Sequence, residues 1–272
     1  MRHDQLTIVS VYGHNDGASA IPSISHSMKQ LPGSRGLLLS RQKPRNLPDN
    51  IAWKRVGLID YLQYSVFMMH MLQHHIETDY ALIVQDDGWV LDGGNWKDEY
   101  YGYDYIGAPS HCGRVGDKFL LGFGWFEHED RTVVQNGGFS LRSKRFLQAP
   151  NEFGIVHKQA NDIHNWNEDA QLTAIFRQDL EHCGMKYAPE HVAKNFSIEY
   201  VGPGFHDGFD FGELVGHHAQ SRRLVGDMYV RVTKPHGEIL DYHGEQEFLN
   251  FLKSLGYTVE YDHGTGSNEK RA

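Results

Sequence analysis

An apolar run, Tyr80-Ala81-Leu82-Ile83-Val84-Gln85, stops abruptly at Asp86-Asp87-Gly88. A run with no polar alternation has no face to give to water, which marks a central strand of a parallel sheet covered on both sides. The rest of the N-terminal half agrees with that frame. Residues 7–12 and 36–40 read as further strands, 20–30 as a helix ended by Pro32-Gly33, and 43–48 as a loop. Leu58, Leu62, Val66, Met69, Leu72 and Ile76 recur at three- and four-residue steps. Phe67, Met68 and Met71 widen the stripe, so one helix buried on much of its surface is expected there. Strands alternating with helices specify an α/β fold with a mixed, mostly parallel central sheet flanked by helices.

Further along, residues 133–141 return to strand, a helix is expected from Asn167-Glu168-Asp169 to about His182, and 245–255 form an amphipathic helix stopped by Gly256. A short strand at 257–261 and a polar, disordered tail at 264–272 complete the chain. The expected division is a main unit at 1–224, an accessory helix and strand segment at 225–263, and the tail. With 272 residues the chain can bury a core without staples. Its two cysteines, Cys112 and Cys183, form no CxxC pair; reduced thiols are the simpler reading, with a long-range bridge left open. The N-terminus lacks the apolar stretch of a secretory signal, and the most apolar segment is broken by Asp60, Gln63 and His70. A cytoplasmic protein with no membrane span is expected, with peripheral membrane contact still open. The formal charge of −9 argues against a nucleic-acid groove, although a divalent cation can still bring a diphosphate to an acidic surface.

Four short segments could carry chemistry. Asp86-Asp87 at a strand's carboxyl end is where open α/β sheets bind ligands, and hard carboxylate oxygens suit Mg²⁺ or Mn²⁺; Asp-Gly is equally a turn dipeptide. Asn136-Gly137-Gly138 either lets a ligand approach a strand backbone closely or makes a tight hairpin, and local pattern favours the hairpin. Glu168-Asp169 at a helix start offers a general base, or simply favourable charges at the dipole, with Asn165 and Glu168 fitting a capping box. Gly216-His217-His218 offers an imidazole to a metal shell, with Arg222 and Arg223 near enough in sequence to meet phosphates; an exposed polar loop is the alternative.

In this order the segments resemble the GT-A glycosyltransferases, and most of all a bacterial group of GT-A-like domains. The likeness runs from Leu6 to Arg223 and rests on residues 82–88, Asn136-Gly137-Gly138-Phe139-Ser140-Leu141-Arg142 and Asn167-Glu168-Asp169. It implies a GT-A-like, Rossmann-related fold and a metal-dependent transfer of sugar from a nucleotide-sugar donor, UDP favoured, to a glycan or glycolipid acceptor in polysaccharide biosynthesis. Val11 and Tyr12 would contact the nucleoside. Asp87 would take the last position of the Asp-x-Asp motif as metal ligand, and Asp86 would face the ribose or donor sugar. Gln85 stands where the first Asp belongs, a departure that leaves the number of carboxylate ligands open. Asn136, Gly137 and Gly138 would line the donor pocket, with Arg222 near the phosphates. Asp169, paired with Glu168, would be the base of an inverting enzyme, and His218, or else His217, the late metal ligand. Gly122-Phe123-Gly124-Trp125 would be a closing lid, or a packed aromatic loop. Rival readings are a nucleotidyltransferase acting on sugar phosphates, marked by pyrophosphate release, a carbohydrate-binding protein that needs no metal, and a retaining transferase.

Overall fold

The computed structural model describes residues 2–13, 16–57, 59–115, 118–121, 131–158, 166–201, 205–219, 221–233 and 244–262. The expected lid at 122–125 and the polar tail therefore lie outside the described residues. The first half holds β1 (Leu6–Tyr12), α1 (Ile21–Gln30), β2 (Arg35–Ser40), β3 (Ile51–Arg55), α2 (Tyr61–His70), β4 (Tyr80–Ile83) and β5 (Gly88–Val90). The middle holds β6 (Tyr105–Val115), β7 (Lys118–Leu121), β8 (Arg131–Ser143), α3 (Lys144–Glu152), α4 (Glu168–Ala170), α5 (Arg177–His182) and α6 (Glu190–Phe196). Then come β9 (Ser197–Ile198), β10 (Gly216–His218), β11 (Arg222–Gly226), β12 (Tyr229–Thr233), α7 (Glu245–Ser254) and β13 (Thr258–Asp262).

The main sheet has seven strands in the order β3-β2-β1-β4-β8-β6-β7. The first four pair in parallel, and β8 is antiparallel to both β4 and β6. It follows that β6 runs the same way as β4, and that five of the seven strands share one direction. Side-chain alternation then sorts each strand between two cores. Leu6, Ile8, Leu38, Leu82 and Leu141 meet α1 and α6 through Ile21, Ile24, Val192 and Phe196. Val9, Val11, Leu37, Leu39, Ala81 and Ile83 meet Met68, Leu72 and Leu147 on the other side. The helix-flanked mixed sheet expected from the sequence is the observed one.

The helix expected from Leu58 onward is shorter. Asp60 caps α2, accepting from Gln63 N at 2.8 Å while Gln63 Oε1 accepts from Asp60 N at 2.9 Å, a reciprocal capping box. It ends at His70, and Leu72 belongs to a separate 3₁₀ turn. Val66 and Met71 are exposed, so the buried stripe is narrower than the apolar pattern suggested. The helix expected to run to His182 is also broken: α4 passes into a π turn at Gln171–Ile175, and α5 restarts after Phe176. Asn165 of the expected capping box lies outside the described residues. Cys112 is buried, Cys183 is exposed and both are free, so they form no bridge.

Asn136-Gly137 makes no hairpin. It lies inside β8, which is continuous over 13 residues. On β6, Gly107 pairs with Ser140 and Pro109 with Gln135, so one residue of β6 faces the four residues 136–139 of β8. The surplus is pushed out of the ladder as a wide bulge.

Two smaller sheets flank this frame. β10 lies between β5 and β9, and β12 between β11 and β13. Phe248, Leu249 and Leu252 of α7 pack with Trp89, Leu91, Ile198, Phe211 and Leu214, so the C-terminal segment shares a core with the β5-β10-β9 sheet. The expected division after residue 224 falls within β11.

Candidate functional site

Beyond Ile83 the chain turns sharply, with Gly88 N donating to Gln85 O at 3.2 Å. The turn reading of Asp86-Asp87-Gly88 therefore holds: a β-turn sets the two acids at the strand end and reverses the chain into β5. β5 pairs antiparallel with β10, with His218 opposite Gly88. A Cβ on Gly88 would stand 2.8 Å from His217 O, which is why only glycine fits this close crossing.

The two acids take different partners. Asp86 Oδ2 accepts from Tyr12 Oη at 2.7 Å and from Arg223 Nη1 at 2.5 Å. Asp87 Oδ1 is buried, accepts no hydrogen bond, and stands 3.3 Å from His218 Nε2. Burial works to raise the Asp87 carboxyl, but the adjacent His218 outweighs it and holds the group below the usual carboxylate range. For His218, burial works downward, and Asp87 and then Glu199 overcome it, pushing the imidazole up to about 9. His218 Nε2 also lies 3.2 Å from Gln85 Oε1, and Gln85 Nε2 donates to Tyr64 Oη at 2.9 Å. On the other side of the ring, Nδ1 lies 3.8 Å from Glu199 Oε1.

The β8 bulge fills the space between this cluster and the start of α4. A Cβ on Gly138 would collide with the His218 imidazole, and one on Gly137 with Glu168 and Arg142. Gly137 N donates to Asp169 Oδ2 at 3.0 Å, and Asn136 Oδ1 accepts from Gly138 N at 2.7 Å. Consecutive glycines thus put bare backbone against His218 on one side and Asp169 on the other. Burial, then Glu168 and Glu199, push the Asp169 carboxyl up to about 7 against the opposing Gly137 and Ala170 N–H donors. Glu168 has a separate fate: its Oε1 accepts from the fully buried Arg142 Nη2 at 2.8 Å. Arg142 also donates to Ser140 Oγ and Gly137 O and lies over the Tyr105 ring. The pair braces the bulge from below.

Asp86, Asp87, Asn136, Gly137, Gly138, Glu168, Asp169, His218 and Tyr12 therefore gather in one mostly buried cluster at the carboxyl end of β4. Three of the expected side chains face away from this group. His217 points to the opposite face of β10, because successive strand residues alternate. Its ring stands edge-on to Trp89 at 4.0 Å and receives Arg222 Nη1 at 3.1 Å, and burial drives it well below the usual imidazole range. Arg222 is on that face too, paired with Glu245 at 3.0 Å and stacked on Phe248, while Arg223 reaches the cleft instead. The Val11 side chain is buried in the core with Leu39 and Ile83. Sequence reasoning gave no role to Glu199, Tyr64 or Arg142; Glu199 follows a two-residue strand that leaves no periodic mark.

The donor set suits a hard divalent ion in part. Two ligands about 2.1 Å from one ion sit about 3 Å apart, close to the Asp87–His218 separation. The orphaned Asp87 Oδ1 is consistent with that use. Among the described residues no group of three or more His, Cys, Asp or Glu side chains is set to hold a metal, so oxygens from a ligand would have to complete the shell.

A family model described as "Protein of unknown function (DUF5672)" matches residues 54–207. No curated protein matches the sequence. Two solved structures of the galactosyltransferase LgtC are similar, each with a TM-score of 0.45. One, in complex with donor and acceptor sugar analogs, is 14% identical over 97% of this chain and 98% of its own. The other, an active-site mutant, is 15% identical over 92% and 95% respectively. Among the described residues no helix is long and apolar enough to cross a membrane.

Proposed function

The chain belongs to the DUF5672 family of proteins of unknown function, and we propose from its own residues that it is a divalent-metal-dependent glycosyltransferase of the GT-A type. The donor would be a nucleoside-diphosphate sugar, UDP favoured, and the acceptor a glycan or glycolipid hydroxyl. One observation carries the reading: the Asn136-Gly137-Gly138 bulge backs onto His218 and Asp169 at once, so the groups proposed as metal ligand and as base stand on either side of one stretch of bare backbone.

Asp87 through Oδ1 and His218 through Nε2 would hold Mn²⁺ or Mg²⁺, which supplies charge neutralisation for a diphosphate leaving group. Asp169 takes the proton from the acceptor hydroxyl as that oxygen bonds to the anomeric carbon and the carbon–phosphate oxygen bond breaks, with inversion. Its elevated pKa suits a base working near neutrality. The Gly137 and Ala170 N–H groups fix its two oxygens while each retains a lone pair for the proton. Glu168 is a positioning group, locked by Arg142, and Asp86 is aimed by Tyr12 and Arg223 toward the donor's ribose or sugar. The C-terminal segment from 225 would be an accessory element.

A thermal-shift screen of nucleoside diphosphates and sugar nucleotides with and without Mn²⁺, followed by product analysis, tests the reading. Stabilisation by a nucleoside diphosphate only with metal, and a transfer product of inverted configuration, are expected. Pyrophosphate release would point to a nucleotidyltransferase, metal-independent glycan binding without donor turnover to a lectin-like role, and a retained anomer to a retaining transferase.

A further inference from the structure

The proposed metal ligand His218 has two faces, and only one is explained by the site above. Nε2 looks toward Asp87 Oδ1 and Gln85 Oε1, at 3.3 and 3.2 Å. Nδ1 is buried and has no hydrogen-bond partner, and the acidic atom facing it is Glu199 Oε1 at 3.8 Å. Glu199 lies just beyond β9, the strand parallel to β10, so the sheet itself sets its backbone beside that of His218. Its side chain is 15% exposed and is further held by Ser110 Oγ at 3.5 Å and by Asn136. Being on the Nδ1 side, it cannot share an ion bound at Nε2. A histidine that ligates metal through one nitrogen needs its other N–H received by an acceptor, which fixes the ring orientation and tautomer and makes the ligating nitrogen more basic.

We propose that Glu199 is the positioning residue of this metal site: it receives the Nδ1–H of His218 and so presents the Nε2 lone pair to an ion shared with Asp87. This deepens the glycosyltransferase reading and rests on it. The requirement is sharpened by Gln85, a neutral amide whose Oε1 lies 3.2 Å from Nε2, because a site with few charged ligands depends more on the donor strength of its imidazole. At 3.8 Å the contact is too long for a hydrogen bond, so ion binding is expected to draw the two groups together.

The test measures binding of Mn²⁺ alone and of Mn²⁺ with UDP to the full chain by electron paramagnetic resonance of the free ion. His218→Ala should abolish binding. Glu199→Ala should weaken it about 10–100-fold, Glu199→Gln, which keeps an acceptor, should recover most of that loss, and UDP affinity without metal should not change. Thermal unfolding of the metal-free variants separates this from misfolding, and if Glu199→Ala does not fold, the Gln and Asp variants carry the comparison. Wild-type affinity in Glu199→Ala, beside a dead His218→Ala, overturns the positioning role and leaves the transferase reading standing. Absence of Mn²⁺ binding by the wild-type chain under both conditions overturns both.

Discussion

His217 and His218 are neighbours in one three-residue strand, yet they live in opposite chemistries. His218 faces Asp87, Gln85 and Glu199 in a charged cluster; its neighbour faces Trp89, Phe248 and the Arg222–Glu245 pair in a closed core. Burial alone drives both imidazoles toward the neutral form. Only the one beside carboxylates resists it, so the same residue type is a candidate ligand on one face and a packing group on the other.

The sharpest way to break this contrast is to place the same ring on each side. His218→Phe should eliminate Mn²⁺ binding and metal-dependent donor turnover. His217→Phe should keep both, while costing about 1–3 kcal/mol of stability through the unpaired Arg222 nitrogen, read by urea denaturation. Equal loss of Mn²⁺ affinity in the two variants would erase the distinction between the faces.

Next in size, Asp169→Asn should lower turnover about 10²–10⁴-fold with Mn²⁺ and UDP binding preserved; near-full turnover would remove Asp169 as the base. On the core face, Arg222→Met takes the counter-charge from the buried Glu245, leaving it only the Ser221 hydroxyl, and should cost about 3–5 kcal/mol in denaturant unfolding. A further effect is in pH. The Asp169 carboxyl sits higher in the folded chain, at about 7, than its ordinary 3.8, so it costs the fold increasing stability as pH rises through that window. Metal-free Asp169→Asn should therefore unfold at higher temperature than wild type at pH 8, and the two midpoints should converge near pH 4. Turnover by the wild type should fall on the acid side of about pH 7. Parallel midpoints across the range would mean that Asp169 is not elevated.

Much of the cleft was legible because backbone rules force it. The apolar run ending at Gln85 had to stop at a sheet edge, and the stop is where Asp86 and Asp87 stand. The paired glycines are legible as an anomaly, although the local pattern favours a hairpin; only the facing strand, with its single residue opposite 136–139, decides for a bulge. What stayed hidden depended on partners far along the chain. Nothing near Arg142 announces that Glu168 will close on it, and the two arginines at 222 and 223 differ only in which side of β11 each occupies. The long helix expected from Leu58 fails because the Asp60–Gln63 box fixes its start late, information carried by side-chain hydrogen bonds rather than by apolar spacing.

The bulge in β8 also has a bearing on how such a molecule can vary. Residues 131–135 are zipped to β6, and 140–143 are clamped between β4 and β6, so neither end can slip without turning buried side chains outward. The four residues between them belong to no ladder. Yet Gly137 and Gly138 have no room for a side chain and Phe139 is buried in the core, so freedom from the ladder does not make this stretch free to change: the framework keeps its register while contacts on both sides of the bulge fix its composition.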